Sequence, residues 1–137
     1  MVYQDLSKND EISHVGCYFT DIYNYKGLVL GQETSYEELS SLWEVSKSKG
    51  FIDSNLDIAN PQGIVDIMGY NLKYVDSHFD AATLIPDNTY CIGAYQWHII
   101  HFIVLRQDKS IWMDPISVGS QTAKNGQLIS MRFYSIL

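Results

Sequence analysis

The sequence has few cysteines and few basic residues, and each shortage narrows what the protein can be. Only Cys17 and Cys91 occur, and two cysteines in a chain without an export signal are more often free thiols than a disulfide. The nine Lys and Arg residues are scattered and the formal net charge is -7, so no basic stripe is available to follow a phosphate backbone. We therefore expect no nucleic-acid partner.

Long apolar runs are also missing. The longest, Ile99 to Leu105, contains a histidine and is far shorter than the roughly 20 residues that a membrane-spanning helix needs. The first ten residues are polar and lack the cationic and apolar regions of a signal peptide. We therefore expect a cytoplasmic protein with no membrane contact.

What is present indicates one packed domain over residues 1–137. The apolar fraction is 46%, and the chain carries 3 Trp, 10 Tyr and 5 Phe residues. Such a composition is typical of a globular protein, and this length fits one hydrophobic core.

The first half of the chain predicts three helices. The first runs from Gly16 to Tyr25 and places Cys17 at its N-terminal end. The second runs from about Tyr36 to Lys49, with Ser35 as the N-cap of a capping box. A short third helix follows an N-cap at Asn60, because proline occupies the next position.

The second half is rich in β-branched and aromatic residues and predicts an antiparallel sheet of about five strands. A strand that is apolar on both faces is expected to be a central strand with a neighbour on each side, and Ile99 to Arg106 fits that description. Helices packed on such a sheet give an α+β fold. The predicted strands are Leu72 to Val75, Tyr90 to Tyr95, His98 to Arg106, Ser110 to Met113 and Ile129 to Ile136.

A hairpin joins the third and fourth predicted strands and brings two titratable residues together. Its register places Asp114 opposite Ile103 and Trp112 opposite Leu105. His101 and Asp114 then lie on the same face as diagonal neighbours, about 7 Å apart, which their side chains can close.

These residue types suit nucleophilic catalysis by cysteine. A buried carboxylate such as Asp114 fixes the tautomer of a histidine that acts as a base. A cysteine at a helix N-terminus beside an imidazolium has a lowered pKa, so Cys17 is expected to be a thiolate at neutral pH. Contact between Cys17 and His101 is tertiary, and their spacing in the sequence does not establish it.

Three short motifs resemble the bacterial double-glycine leader peptidases of the papain-like superfamily. They are Val15-Gly16-Cys17, His101-Phe102-Ile103-Val104-Leu105 and Met113-Asp114-Pro115. The resemblance in order and spacing extends from about residue 16 to residue 115. The full chain also resembles an uncharacterised protein family carried on Borrelia plasmids of prophage type.

The resemblance implies a papain-like fold and a peptide or amide substrate, with no cofactor. Cys17 would attack the carbonyl, His101 would transfer the proton and Asp114 would orient His101. One departure is Tyr18, because these peptidases usually have glycine after the nucleophile. The larger side chain narrows the space at the helix start.

The donor for the oxyanion hole is the second departure. In the family it is typically a glutamine upstream of the cysteine, but the papain-like spacing falls on Glu11, whose carboxylate cannot donate. Gln4 is the only upstream glutamine, and it would serve only if residues 5–13 loop out. Ser13 and His14 are alternative donors.

Several other residues have simpler interpretations. Cys91 is expected in the core of the sheet, and His78 in a solvated loop. His98 and His101 are three apart, a spacing that shares a face only on a helix, so no metal site is expected in this β-rich segment. Trp97 could shield the site from water.

The function that we predict is hydrolysis of a peptide or amide by a Cys-His-Asp triad through an acyl-enzyme intermediate. One alternative is a papain-like module that has lost turnover and binds a peptide or partner protein in the old cleft. Another is a prophage-associated hydrolase that cleaves amides of the cell wall. The sequence leaves both alternatives open.

Overall fold

The computed structural model describes residues 1–137 and contains six helices and five strands. A 3₁₀ turn, Gln4–Leu6, precedes the first helix. The helices are α1 (Asp10–Val15), α2 (Cys17–Tyr23), α3 (Tyr25–Leu28), α4 (Tyr36–Ser48), α5 (Pro61–Met68) and α6 (Gln121–Asn125). The strands are β1 (Leu72–Asp80), β2 (Thr89–Gln96), β3 (Ile100–Leu105), β4 (Ile111–Met113) and β5 (Gln127–Ile136).

All five strands form one antiparallel sheet in the order β1-β5-β2-β3-β4. The predicted α+β fold with five strands is confirmed. Strand β3 lies between β2 and β4, so the prediction of a central strand here is confirmed. Because β4 has only three residues and pairs with the end of β3, the first half of β3 lies at an open edge.

The β3–β4 hairpin keeps only part of the predicted register. Val104 pairs with Met113 as predicted, but Leu105 pairs with Ile111. The expected pairing of Trp112 with Leu105 is therefore wrong, because Trp112 is the extra residue of a bulge. Met113, which directly precedes Asp114, thus keeps its predicted partner in β3.

The predicted caps of α4 and α5 are present. Ser35 Oγ accepts a hydrogen bond from the Glu38 amide at 3.1 Å, and Asn60 caps α5 in the same way. The second half of the capping box does not form. The Glu38 carboxylate instead accepts from Lys26 Nζ at 2.6 Å and ties α3 to α4.

The helical part of the N-terminal region is longer and more broken than predicted. The first predicted helix is divided in two, because α2 ends at Tyr23 and α3 begins at Tyr25. Helices α1 and α6 were not predicted. Helix α1 has a single buried residue, Ile12, and therefore gives no apolar periodicity. Its N-cap is Asn9, whose side chain accepts from two amides of the first turn.

The sheet separates two apolar clusters. The larger one packs between the sheet and the helices and includes Tyr90, Ile92 and Val104. The smaller one lies on the other face and includes Cys91 and Leu105. Helix α2 packs on β3 within the larger cluster. No helix in the structure has the length and apolar character needed to cross a membrane.

Candidate active site

His101 and Asp114 form a nearly buried pair at the end of the β3–β4 hairpin. Nε2 of His101 lies 2.8 Å from Oδ1 of Asp114, and the two side chains are 7% and 12% exposed. The predicted proximity of these two residues is confirmed. Because the carboxylate only accepts, Nε2 carries the proton and Nδ1 is left as the basic nitrogen.

The Asp114 carboxylate is held by the loop that follows it. Its Oδ1 also accepts from the Ile116 amide at 3.0 Å, and its Oδ2 accepts from the Ser120 amide at 2.8 Å. Burial alone would raise the pKa of Asp114, but the hydrogen bonds from His101 and from these two amides lower it overall. Asp114 is therefore an anion at neutral pH and can orient His101.

Cys17 is the first residue of α2 and lies beside the open edge of β3. Its side chain is half-buried, and the backbone amides of Phe102 and Tyr18 face the sulfur. Phe102 directly follows His101 in β3. The structure therefore places Cys17 next to Phe102, the residue that follows the predicted base His101.

The state of the Cys17 thiol differs from our expectation. Burial raises the pKa of Cys17 to about 12, and the nearby carboxyl of Asp21 adds to the effect. The amides of Phe102 and Tyr18 act in the opposite direction but do not offset burial. The expected thiolate at neutral pH is therefore wrong for this arrangement, in which Cys17 carries a neutral thiol.

The structure records no hydrogen bond between Cys17 Sγ and the His101 ring. Phe102 and Val104 pack toward the helices, whereas Leu105 belongs to the cluster on the opposite face. His101 shares the strand parity of Leu105, and its ring reaches Asp114 beyond the end of β4. By strand alternation the His101 side chain leaves β3 on the face opposite to Phe102, so the structure joins His101 to Asp114 and joins neither of them to Cys17 by a hydrogen bond.

Gln4 is buried in the 3₁₀ turn and touches the same region. Its backbone amide donates to the carbonyl of Pro115 at 2.7 Å, and Pro115 directly follows Asp114 in the chain. Its side-chain Nε2 lies 3.4 Å from the Ser13 carbonyl, while Oε1 is buried without a partner. The intervening residues 5–13 complete the 3₁₀ turn and enter α1, which begins at Asp10.

The other residues considered for the oxyanion hole have different roles. The Glu11 carboxylate accepts from Trp43 Nε1 at 2.9 Å and from Lys47 Nζ at 2.7 Å, and so it joins α1 to α4. Ser13 Oγ and His14 Nδ1 are exposed and both bond to the Asp10 carbonyl. Neither has the buried position that Gln4 has.

Cys17 borders a cleft with a volume of about 500 Å³. Its wall includes Tyr18 and Phe102 from the α2–β3 contact, and His78 and Arg132 from β1 and β5. The side chains of His101 and Asp114 do not line this cleft. His78 lies within β1, so the prediction that it occupies a solvated loop is wrong.

A family model described as "Protein of unknown function, DUF261" matches residues 1–136. The chain belongs to this family. The match covers every helix and strand, so the DUF261 unit and the folded domain have the same extent. No curated protein and no solved structure matches the chain.

Two residues of this DUF261 protein that sequence reasoning missed adjoin the candidate site. Asp21 lies one helical turn after Cys17, is fully buried, and has no partner for either carboxylate oxygen. Burial raises its pKa well above the usual range, and Asp114 adds to this. Arg132 faces the cleft. Each is the lone charged residue of its helix or strand, and that pattern was a usable signal.

The remaining candidates lie elsewhere. Cys91 is fully buried in the sheet, as predicted. Trp97 is 44% exposed and packs on the ring of His98 at 4.1 Å, so it lies at the surface of the β2–β3 turn. No group of three or more His, Cys, Asp or Glu side chains in the DUF261 fold is placed to hold a metal ion.

Proposed function

We propose that this protein is a papain-like cysteine hydrolase that cleaves a peptide or amide bond, with Cys17 as the nucleophile. One observation carries the proposal: His101, which is paired with Asp114, immediately precedes Phe102, and Phe102 lines the same cleft as Cys17. A nucleophile beside a histidine that a carboxylate orients is the arrangement that this chemistry requires.

In the proposed reaction, Sγ of Cys17 attacks the carbonyl carbon of the substrate while Nδ1 of His101 accepts the thiol proton. The tetrahedral intermediate collapses when His101 returns this proton to the leaving nitrogen, and a thioester on Cys17 remains. Water then attacks the thioester, with Nδ1 taking its proton. The acid product leaves, and the proton returns to Cys17. Asp114 remains ionised throughout and stabilises the imidazolium.

The raised pKa of Cys17 determines how the thiol is activated. A thiol with a pKa of about 12 is not ionised at rest, so His101 must remove the proton as attack begins. This requires rotation of the Cys17 side chain from the Phe102 amide toward Nδ1 of His101. Substrate in the cleft would favour that rotation by occupying the space that the sulfur now faces.

Gln4 is the proposed side-chain donor to the oxyanion. Its backbone is fixed to the Pro115 carbonyl, and its buried Nε2 makes only a long hydrogen bond of 3.4 Å that can be exchanged. The Cys17 amide would supply the second donor. Removal of one such donor typically costs roughly 10²–10³ in turnover rate.

The test is hydrolysis of a panel of peptides and muropeptides, followed by mass spectrometry. Wild type should release products and form a thioester on Cys17, whereas Cys17→Ser and His101→Ala should do neither. Cys91→Ser is the matched control and should retain activity. No product and no thioester with any member of the panel would reject the hydrolase.

A binding module is the second candidate, and the neutral Cys17 thiol favours it. A cleft of this volume beside an unionised thiol can hold a peptide without cleaving it. In that case Cys17→Ser and Asp114→Asn should bind a peptide as tightly as wild type, and no variant should show turnover.

A further inference from the structure

Arg132 is the one lysine or arginine among the residues that line the cleft beside Cys17. It projects from β5 and shares the cleft wall with His78 of β1. Burial lowers the pKa of His78, and the neighbouring guanidinium of Arg132 lowers it further. His78 is therefore neutral at pH 7, and Arg132 provides the permanent positive charge of the cleft.

The guanidinium has a fixed position but lacks an anionic partner. Its Nη1 donates to Ser130 Oγ at 2.6 Å, and its Nη2 lies 3.4 Å from Nδ1 of His78. Its Cζ lies 5.0 Å from the centroid of the Phe102 ring. Nε is buried and has no hydrogen-bond partner.

No anionic side chain in the protein pairs with this charge. Two acidic residues, Asp57 and Asp76, line the same cleft, but both are exposed and neither forms an ion pair with Arg132. A buried donor without an acceptor is costly, and arginine matches a carboxylate with two parallel hydrogen bonds. An anionic ligand in the cleft would supply what is missing.

The position of Arg132 relates it to the proposed chemistry. Its guanidinium covers one face of Phe102, and Phe102 follows His101 and presents its amide to Cys17. A group bound by Arg132 would therefore lie in the same cleft as the bond to be cleaved. Tyr18 stacks on Phe102 and holds this part of the wall.

We propose that Arg132 anchors a carboxylate of the substrate, which makes the preferred substrates acidic peptides or amides. This inference rests on the proposed function, because it takes the cleft as the substrate site. The carboxylate belongs either to a chain terminus or to an acidic side chain. Both present the same planar pair of oxygen atoms to the guanidinium.

Three peptides separate these sources: N-acetyl-trialanine as the free acid, the same peptide as its C-terminal amide, and N-acetyl-Ala-Glu-Ala amide. Their dissociation constants are measured by calorimetry on Cys17→Ser, which binds without turnover. A terminal carboxylate anchor predicts that the free acid binds about tenfold more tightly than the trialanine amide. A side-chain anchor predicts the same advantage for the glutamate peptide.

Variants then assign the preference to Arg132. Arg132→Gln should remove the preference for acidic peptides, and Arg132→Lys should retain part of it. Arg106 is exposed, and Arg106→Gln should leave the preference unchanged. Should Arg132→Gln fail to fold, added NaCl replaces it, because screening should narrow the gap between acidic and neutral peptides. Equal affinity of all three peptides, or no binding at millimolar concentration, would overturn the inference.

The outcome is distinguishable from failure of the proposed function. Absence of turnover with a preserved preference for acidic peptides would reject the hydrolase and retain the anchor. Turnover with no such preference would retain the hydrolase and reject Arg132 as the anchor.

Discussion

The ring of Tyr18 stacks on the ring of Phe102, with centroids 4.7 Å apart and planes inclined by 19°. Tyr18 follows the proposed nucleophile, and Phe102 follows the proposed base. The Tyr18 hydroxyl also lies 2.7 Å from the Tyr134 hydroxyl in β5. This contact joins the start of α2 to two strands and sets where Cys17 lies along β3.

Two substitutions of Tyr18 should separate its ring from its hydroxyl. Tyr18→Phe keeps the stack but leaves the buried Tyr134 hydroxyl without a partner. This should lower the free energy of unfolding by about 1–3 kcal/mol and leave the activity nearly unchanged. Tyr18→Ala removes the ring, should cost on the order of 3 kcal/mol and should abolish turnover. Urea denaturation and peptide hydrolysis measure the two effects, and equal activity of the two variants would contradict a positioning role.

Asp114→Asn should destabilise the protein in a pH-dependent way. The carboxylate accepts three hydrogen bonds, and an amide places a donor against one of the three donors, at a cost of about 1–3 kcal/mol at pH 7. The folded pKa of Asp114 is lowered, so its stabilisation is present above the unfolded value of about 3.9 and is lost as the pH falls toward the folded value. The gap between variant and wild type should therefore narrow in acid.

Turnover gives a second measurement on the same variant. Loss of the charge should reduce it by orders of magnitude, because an amide does not hold the required tautomer of His101. Asp108→Asn is a suitable control, since Asp108 is exposed in the β3–β4 turn. A control that loses as much stability as Asp114→Asn would remove the special role of the buried pair.

Asp21→Asn should have the opposite dependence on pH. Burial raises the pKa of Asp21 in the folded protein. The fold therefore loses stability, compared with its stability at low pH, once the pH exceeds the pKa of about 3.9 that the carboxyl has in the unfolded chain. The variant should match wild type near pH 4 and exceed it by about 1 kcal/mol or more at pH 7. Urea denaturation across this range measures the gap, with exposed Asp10→Asn as the control. A constant gap would contradict the buried, protonated carboxyl.

Alkylation by iodoacetamide should report the state of both thiols. Cys17 borders the cleft and should react before Cys91, which is fully buried. Because the pKa of Cys17 is raised to about 12, its rate should climb steadily with pH and show no plateau below pH 7. Peptide mapping measures the rates. Fast alkylation at about pH 6 that His101→Ala abolishes would instead reveal a preformed thiolate-imidazolium pair.

The sequence was most informative where a local rule decides the structure. Ser35 and Asn60 were identified as caps because their short polar side chains precede helical patterns. The proximity of His101 and Asp114 followed from strand alternation and hairpin register. The bulge at Trp112 does not disturb it, because the bulge lies on the turn side of Met113.

What the sequence could not provide depends on burial and on contacts distant in the chain. A helix N-terminus and a histidine suggested a thiolate, but the rise in the pKa of Cys17 comes first from desolvation, which no motif encodes. Gln4 could be proposed only conditionally, because its burial depends on how α1 folds. The part that Arg132 plays in the cleft depends on the pairing of β5 with β1.

The strand order has a consequence for how the protein is made. Strand β5 is the last to leave the ribosome, yet it lies between β1 and β2 and pairs with both. Until it arrives, β1 has no partner in the native sheet, and the β2–β3–β4 segment presents an unpaired edge of backbone amides and carbonyls. A nascent chain stalled before residue 127 should therefore expose both strands to aggregation and to chaperones, while Arg132 is still absent from the cleft.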